Sequence, residues 1–157
     1  MPRIRLKDTT VTIAASGGSI AVKVADGGIS WTLARNLEYE MNRGAIDSVV
    51  EGDDIPVAVE MSFVYEYILA SGGAVPTPAE AITKTGAAAS WVSIGANPCE
   101  PYAVNITVLS NSGCSLLAKM TTVFTEFRWD SIDFDLASSS LAVRGRCKTK
   151  FIATTRS

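Results

Sequence analysis

The sequence predicts a mainly β protein: a β-sandwich or barrel-like domain with one short flanking α-helix and an extended loop or hairpin arm. Three observations predict it. Apolar residues recur with period two, most clearly from Ile55 to Tyr67. There Val57, Val59, Met61, Phe63 and Tyr65 fall on one side and Ala58, Glu60, Ser62 and Val64 on the other. Side chains on a strand alternate between faces, so this run reads as a strand packed on one face and wet on the other. Turn chemistry interrupts such runs at short intervals, at Gly17-Gly18, Asp26-Gly27-Gly28 and Asn111-Ser112-Gly113. Only one stretch, after Thr77-Pro78, carries the start chemistry of a substantial helix.

Taken in order, Ile4–Lys7 and Val11–Ala14 read as a short opening pair, and Ser19–Ala25 as a strand with Ile20, Val22 and Val24 on one face. Asp26-Gly27-Gly28 reads as a hairpin turn, because glycine supplies the positive φ that tight turns need. Ile29–Leu33 and Asn36–Asn42 follow, with Ile29, Trp31, Leu33, Leu37, Tyr39 and Met41 as the inward set. Gly44 and Glu51-Gly-Asp-Asp54 bracket a stretch, about 43–55, that reads as a hairpin arm or a surface loop; long connections in compact domains are usually functional. Pro56 opens the next strand, where its missing N–H does least harm. The helix is placed at about 78–84, with Thr77 as N-cap, Pro78 in the first position and Gly86 beyond the end. Tyr65–Ala70 is a possible extra turn. Tyr102–Ser110 alternates cleanly, and Leu116–Phe127 is a long strand whose parity slips in the middle, the mark of a bulge. Trp129–Leu136 precedes a last strand from Leu141 to Ile152, in which Leu141, Val143 and Cys147 oppose Arg144, Arg146, Lys148 and Lys150.

The chain has 157 residues, 47% of them hydrophobic, with a mean hydropathy of +0.22. That suits one domain over 1–157 with a packed core. No stretch approaches the roughly 20 apolar residues of a membrane helix, and the N-terminus shows no apolar signal core. The chain contains no histidine, which excludes Ser–His and Cys–His nucleophilic catalysis and leaves zinc few ligands. The acids sit in no glycosidase signature, and the glycines form no phosphate-binding motif. Asp130, Asp133 and Asp135 resemble a calcium loop only loosely. An enzyme is not indicated, and no cofactor or metal is expected. Cys99, Cys114 and Cys147 are an odd set without CxxC spacing; buried free thiols are the main expectation and a Cys99–Cys114 disulfide the alternative.

Net charge is only −2, but it is unevenly laid out. Glu38, Glu40, Asp47, Glu51, Asp53, Asp54, Glu60 and Glu66 face a single Arg43, whereas Arg144, Arg146, Lys148, Lys150 and Arg156 follow the last acid, Asp135. Solvated faces explain any single charge; opposed blocks in one small domain also suit self-association. The basic strand lacks interleaved aromatics, so sequence-specific nucleic-acid reading is not supported.

Several segments resemble the tail tube proteins (major tail proteins) of long-tailed bacteriophages. They are the alternating strand Gly28-Ile-Ser-Trp-Thr-Leu-Ala-Arg-Asn-Leu-Glu-Tyr-Glu-Met-Asn, the Arg43-Gly44 turn, the Glu51-Gly-Asp-Asp54 loop and Pro56 opening the return strand. Pro98-Cys-Glu-Pro-Tyr-Ala-Val-Asn-Ile and Phe127-Arg-Trp-Asp-Ser-Ile-Asp-Phe-Asp-Leu also look similar. The resemblance implies hexameric rings stacked head to tail around a lumen through which DNA leaves the capsid, and no catalytic residues. It implies a virion tail protein assembled in the host cytoplasm. Its partners would be other copies of itself, a tape-measure protein, transiting DNA without sequence specificity, tail terminator and baseplate or tip proteins, and a sheath protein where the tail contracts. An acidic wall would let DNA slide, which makes Glu38 and Glu40, then Glu60 and Ser62, the lumen candidates. Arg43, Gly44, Asp47, Glu51, Asp53 and Asp54 would form the inter-ring arm. Arg144, Arg146, Lys148 and Lys150 would meet a neighbour's acidic loop; facing the lumen they would hold DNA, so they are expected to face elsewhere. The alternative is a monomeric β-sandwich binding or adhesion module of a virion, for carbohydrate or a receptor, which would show an exposed aromatic platform.

Overall fold

In the computed structural model of the chain the described residues are 9–64, 75–111 and 119–156. The expected strand Ile4–Lys7, the possible turn Tyr65–Ala70, Cys114 and the Ser112-Gly113 turn lie outside them. The strands are β1 (Thr9–Ala15), β2 (Gly18–Val22), β3 (Val24–Thr32), β4 (Leu37–Asn42), β5 (Ala45–Glu51), β6 (Val57–Val64), β7 (Val104–Asn111), β8 (Lys119–Asp135), β9 (Ser140–Cys147) and β10 (Ala153–Arg156). The α-helix among the described residues is α1 (Pro78–Thr83). The protein is mainly β: one eight-stranded antiparallel sheet, ordered β2-β1-β7-β8-β9-β6-β3 with β10 on β8, and a separate β4-β5 hairpin.

Two chain features curl that sheet on itself. β2 and β3 lie at opposite ends of the strand order yet only Lys23 separates them in sequence, so the ends must approach each other. β8 spans both halves: Lys119–Phe127 pairs with β7, and Phe127–Asp135 with β9. Its bend is built by a bulge in which Thr125 and Glu126 together oppose Asn105. Glu126 takes φ 50°, and the amide freed by the bulge donates to Asn105 Oδ1 at 3.0 Å. The parity slip in the sequence therefore marks a real bulge. Val11, Ile13, Ile106 and Phe124 from one half and Val59, Met61, Phe63, Leu141 and Val143 from the other share a single buried core. Each such side chain stabilises the fold by about 1.5–3 kcal/mol.

β6 shows the expected alternation, with Val57, Val59, Met61 and Phe63 buried and Glu60 exposed. α1 also sits where the start signals place it. Thr77 Oγ1 accepts from the Glu80 amide, and the Glu80 carboxylate accepts from the Ala87 amide at 3.1 Å rather than closing back on the cap. Lys84 in the left-handed region (φ 57°) ends the helix, and Gly86 opens a 3₁₀ turn. The Tyr102 hydroxyl ties α1 to the body by donating to Ala81 O at 3.0 Å; burial pushes that phenol up to about 12.

Four expectations are corrected. Asp26-Gly27-Gly28 is no hairpin turn: β3 runs through it against β6, the register jumping between Val24 and Ile29, with Gly28 at φ 68°. Glycine-rich sequence serves a bulge as well as a turn. Trp129–Leu136 is not a separate segment but the end of β8. The last strand stops at Cys147, and Lys148–Ile152 is a turn into β10. Of the cysteines, Cys147 is buried as expected, but Cys99 is exposed, and both are free thiols. Burial raises the Cys147 thiol to about 12, so at neutral pH it stays protonated and unreactive. In a Cys114→Ser protein, Ellman's reagent should titrate one thiol, Cys99, under native conditions and two after denaturation.

Candidate functional site

The arm is longer than its turn chemistry indicates. It spans 37–51 rather than about 43–55, because Leu37–Asn42 pairs with Ala45–Glu51 and not with the large sheet. Arg43 and Gly44 both take positive φ (52° and 84°), the two-residue turn whose twist suits a hairpin. Cross-strand partners share a face. Leu37/Glu51, Tyr39/Val49 and Met41/Ile46 form one side, and Glu38/Val50, Glu40/Ser48 and Asn42/Ala45 the other. Asp47 is the extra residue of a bulge at Met41, and Ser48 Oγ donates to Glu40 at 2.9 Å. Among the described residues nothing covers the apolar side: Tyr39 is 56%, Met41 60%, Ile46 65% and Val49 50% exposed. The expected inward set Leu33, Tyr39 and Met41 is thus overturned. Trp31 is partly so: its ring meets buried Phe124 edge-on at 5.3 Å, yet it stays half exposed.

At the root, the Gly52 amide donates to Asn36 O at 2.8 Å. Lys150 reaches Asp54 at 3.3 Å and Glu51 at 4.0 Å, clamping the arm to the turn before β10.

The structure separates the lumen candidates. Glu38 and Glu40 project from the arm, whereas Glu60 and Ser62 lie on the outer face of β6, in the large sheet. That outer face is built in register. Ser30, Glu60, Arg144 and Ser131 form one row across β3-β6-β9-β8, and Ser62, Ala142 and Asp133 lie in the next. Arg144 therefore shares the face of the lumen candidate Glu60, its partner at 3.7 Å. Arg146 lies on the same face and grips Asp130, the bulged residue of β8, at 3.0 and 3.2 Å. Lys148 pairs with Glu100, so each of the four basic candidates has an acid in its own chain.

Glu100 also takes Arg128 Nη2 at 3.2 Å, while Arg128 Nε donates to Pro101 O. This pins the segment before β7 onto β8. The Lys148 hydrogen bond first, and the two nearby cations after it, hold the Glu100 carboxyl below its ordinary 4.5. A carboxyl depressed in the folded state stabilises fully above its unfolded value, and that contribution is lost as pH falls through the folded one. The urea midpoint should therefore drop as pH falls below the ordinary 4.5 of this carboxyl, and drop less in Glu100→Gln.

A cleft of about 410 Å³ opens between α1 and the end of β8, lined by Thr77, Ala79, Glu80, Thr83 and Thr85 on one side and Trp129, Ile132 and Phe134 on the other. Among the described residues no group of three or more His, Cys, Asp or Glu could hold a metal, and no helix is long and apolar enough to cross a membrane.

No protein-family model and no curated protein matches the chain. Among solved structures it is similar to a chain of the anti-feeding prophage (AFP) baseplate, determined by cryo-EM with 6-fold symmetrisation. The identity is 12%, 99% of this chain and 96% of that chain are covered, and the TM-score is 0.49. A likeness at that level assigns neither fold nor function to this chain.

Sequence reasoning missed the cleft and the apolar face of the arm. The cleft joins residues some fifty positions apart, so no local signal marks it. The arm face was visible as an alternation, but alternation does not say whether the apolar side meets its own chain.

Proposed function

We propose that the chain is a structural, non-enzymatic subunit of a phage-tail-like particle, one tail-tube-like domain that stacks as hexameric rings into the conduit for DNA ejection. The observation that carries this reading is the arm. A lone two-stranded hairpin is marginal in water, and this one shows a continuous row of large apolar side chains. A monomer needs an apolar arm for nothing, whereas a stacking subunit needs one surface to grip the next ring.

On this reading 37–51 is the inter-ring arm, extending the expected group Arg43, Gly44, Asp47, Glu51, Asp53 and Asp54 toward Leu37. The outer face of β3-β6-β9-β8, with Glu60 and Ser62, lines the lumen. It carries small and polar residues and three arginines, Arg128, Arg144 and Arg146, whose guanidinium groups are engaged by Glu100, Glu60 and Asp130. An arginine already paired offers less to passing phosphates, and Asp133 and Asp135, on the same face and in no ion pair among the described residues, leave that wall net acidic. Lys148 and Lys150, outside that wall, are solvent-facing enough to exchange their acids for a neighbour's. The tape-measure, terminator, baseplate or tip and, in a contractile tail, sheath proteins would contact the assembled tube.

The test is negative-stain microscopy with light scattering over a concentration series. Hollow rings or tubes support the reading; a monomer at every concentration, with preformed rings or tubes absent even after seeding by baseplate components, sinks it. One observation favours a second reading, a monomeric binding or adhesion module: Trp129 and Phe134 are about half exposed beside the cleft. Glycan screening of a monomeric protein would then follow.

A further inference from the structure

We propose that the cleft between α1 and the end of β8 receives the apolar face of the arm of a second copy of this chain. The inference rests on the tube-subunit reading and names the surface that reading lacks. The arm presents two adjacent cross-strand pairs, Tyr39/Val49 and Met41/Ile46, as a ridge about 7 Å apart along the strand. The cleft is its counterpart in chemistry. One wall is aromatic and aliphatic (Trp129, Ile132, Phe134), the other small and methyl-bearing (Ala79, Thr83), and its volume of about 410 Å³ lies in the range of pockets that accept inserted groups. Phe134 is 57% exposed and Trp129 45%, so both have apolar area left to bury.

Charge does not oppose this occupant. Glu38 and Glu40 lie on the face of the arm opposite the ridge, so they point away from the cleft when the ridge enters it. Glu80, the acid of the cleft, is already engaged by the Ala87 amide. Among the described residues β4 and β5 pair only with each other, so the ridge meets no strand of the large sheet. Ridge and cleft are different surfaces, so their contact is heterologous and propagates from copy to copy instead of closing as a two-fold pair.

Two variants at exposed positions test it, Met41→Asp/Ile46→Asp on the arm and Phe134→Asp in the cleft, each first checked for an unchanged thermal melt. Each alone should raise the assembly threshold at least about 100-fold. Mixed, they should form a 1:1 complex that grows no further, because one intact arm and one intact cleft remain. Thiol cross-linking of Met41→Cys with Phe134→Cys copies, in a Cys99→Ser/Cys114→Ser background, traps that contact even if it is weak. A Phe134→Asp protein that assembles like its parent overturns this inference and leaves the tube reading standing. Failure of both the mixed complex and the cross-link overturns it too. A parent that never assembles removes the tube reading, and the inference falls with it.

Discussion

Excising residues 37–51 and joining Asn36 to Gly52 through Gly-Ser should give a protein that melts within about 3 °C of its parent and forms no rings or tubes. The folding half of this expectation follows from the root. Asn36 and Gly52 already meet through a backbone hydrogen bond of 2.8 Å, so a short linker closes the gap without moving β3 or β6. Nothing in the buried core comes from β4 or β5. The loss of Glu51 leaves Lys150 with Asp54, a surface pair worth about 1 kcal/mol or less.

The assembly half follows from area. Tyr39, Met41, Ile46 and Val49 are each half or more exposed, and burying the rest of each would contribute on the order of 1 kcal/mol. Together that is about 4 kcal/mol per contact, near a thousandfold in threshold concentration. Analytical ultracentrifugation of parent and excised protein reads both halves. An excised protein that still assembles would show that the arm is decoration.

Gly145→Val should be the most damaging single change in the large sheet. Gly145 lies on β9 between Val59 of β6 and Trp129 of β8. A Cβ there would stand 2.2 Å from Arg128 O and 2.7 Å from Phe127 Cζ. Neither obstacle is a flexible chain end: one is backbone in a paired strand, the other a ring in the core. Either β8 and β9 separate or Phe127 leaves its place. The cost is expected at about 3 kcal/mol or more, which lowers the melting temperature by about 6–12 °C in a chain of this size. Gly44→Ala is the informative contrast. Its Cβ meets nothing within 4 Å, but φ of +84° strains any L side chain, so the damage should stay in the arm and leave the melt of the body unchanged. Equal melting shifts for the two would refute the packing argument.

What could be read from residues alone was local. The alternation of Val57, Val59, Met61 and Phe63 placed one face of β6 in the core, because a strand offers no other way to bury every second residue. Thr77-Pro78 set the start of α1 through one side-chain acceptor and one fixed φ. The slip of parity in β8 announced its bulge. The tertiary structure decided what each alternating face meets. β4 has the same apolar–polar rhythm as β6, yet β4 pairs only with β5 and its apolar side stays in water. Arg144 faces Glu60, and Lys150 holds Glu51 and Asp54, through pairings between residues separated by eighty positions or more. The physical reason is the same in each case. Side-chain direction on a strand is a property of the backbone nearby, and pattern reports it. Whether a face is covered, and by which chain, depends on strand partners brought in from far along the sequence, or from another molecule, and only the folded arrangement settles that.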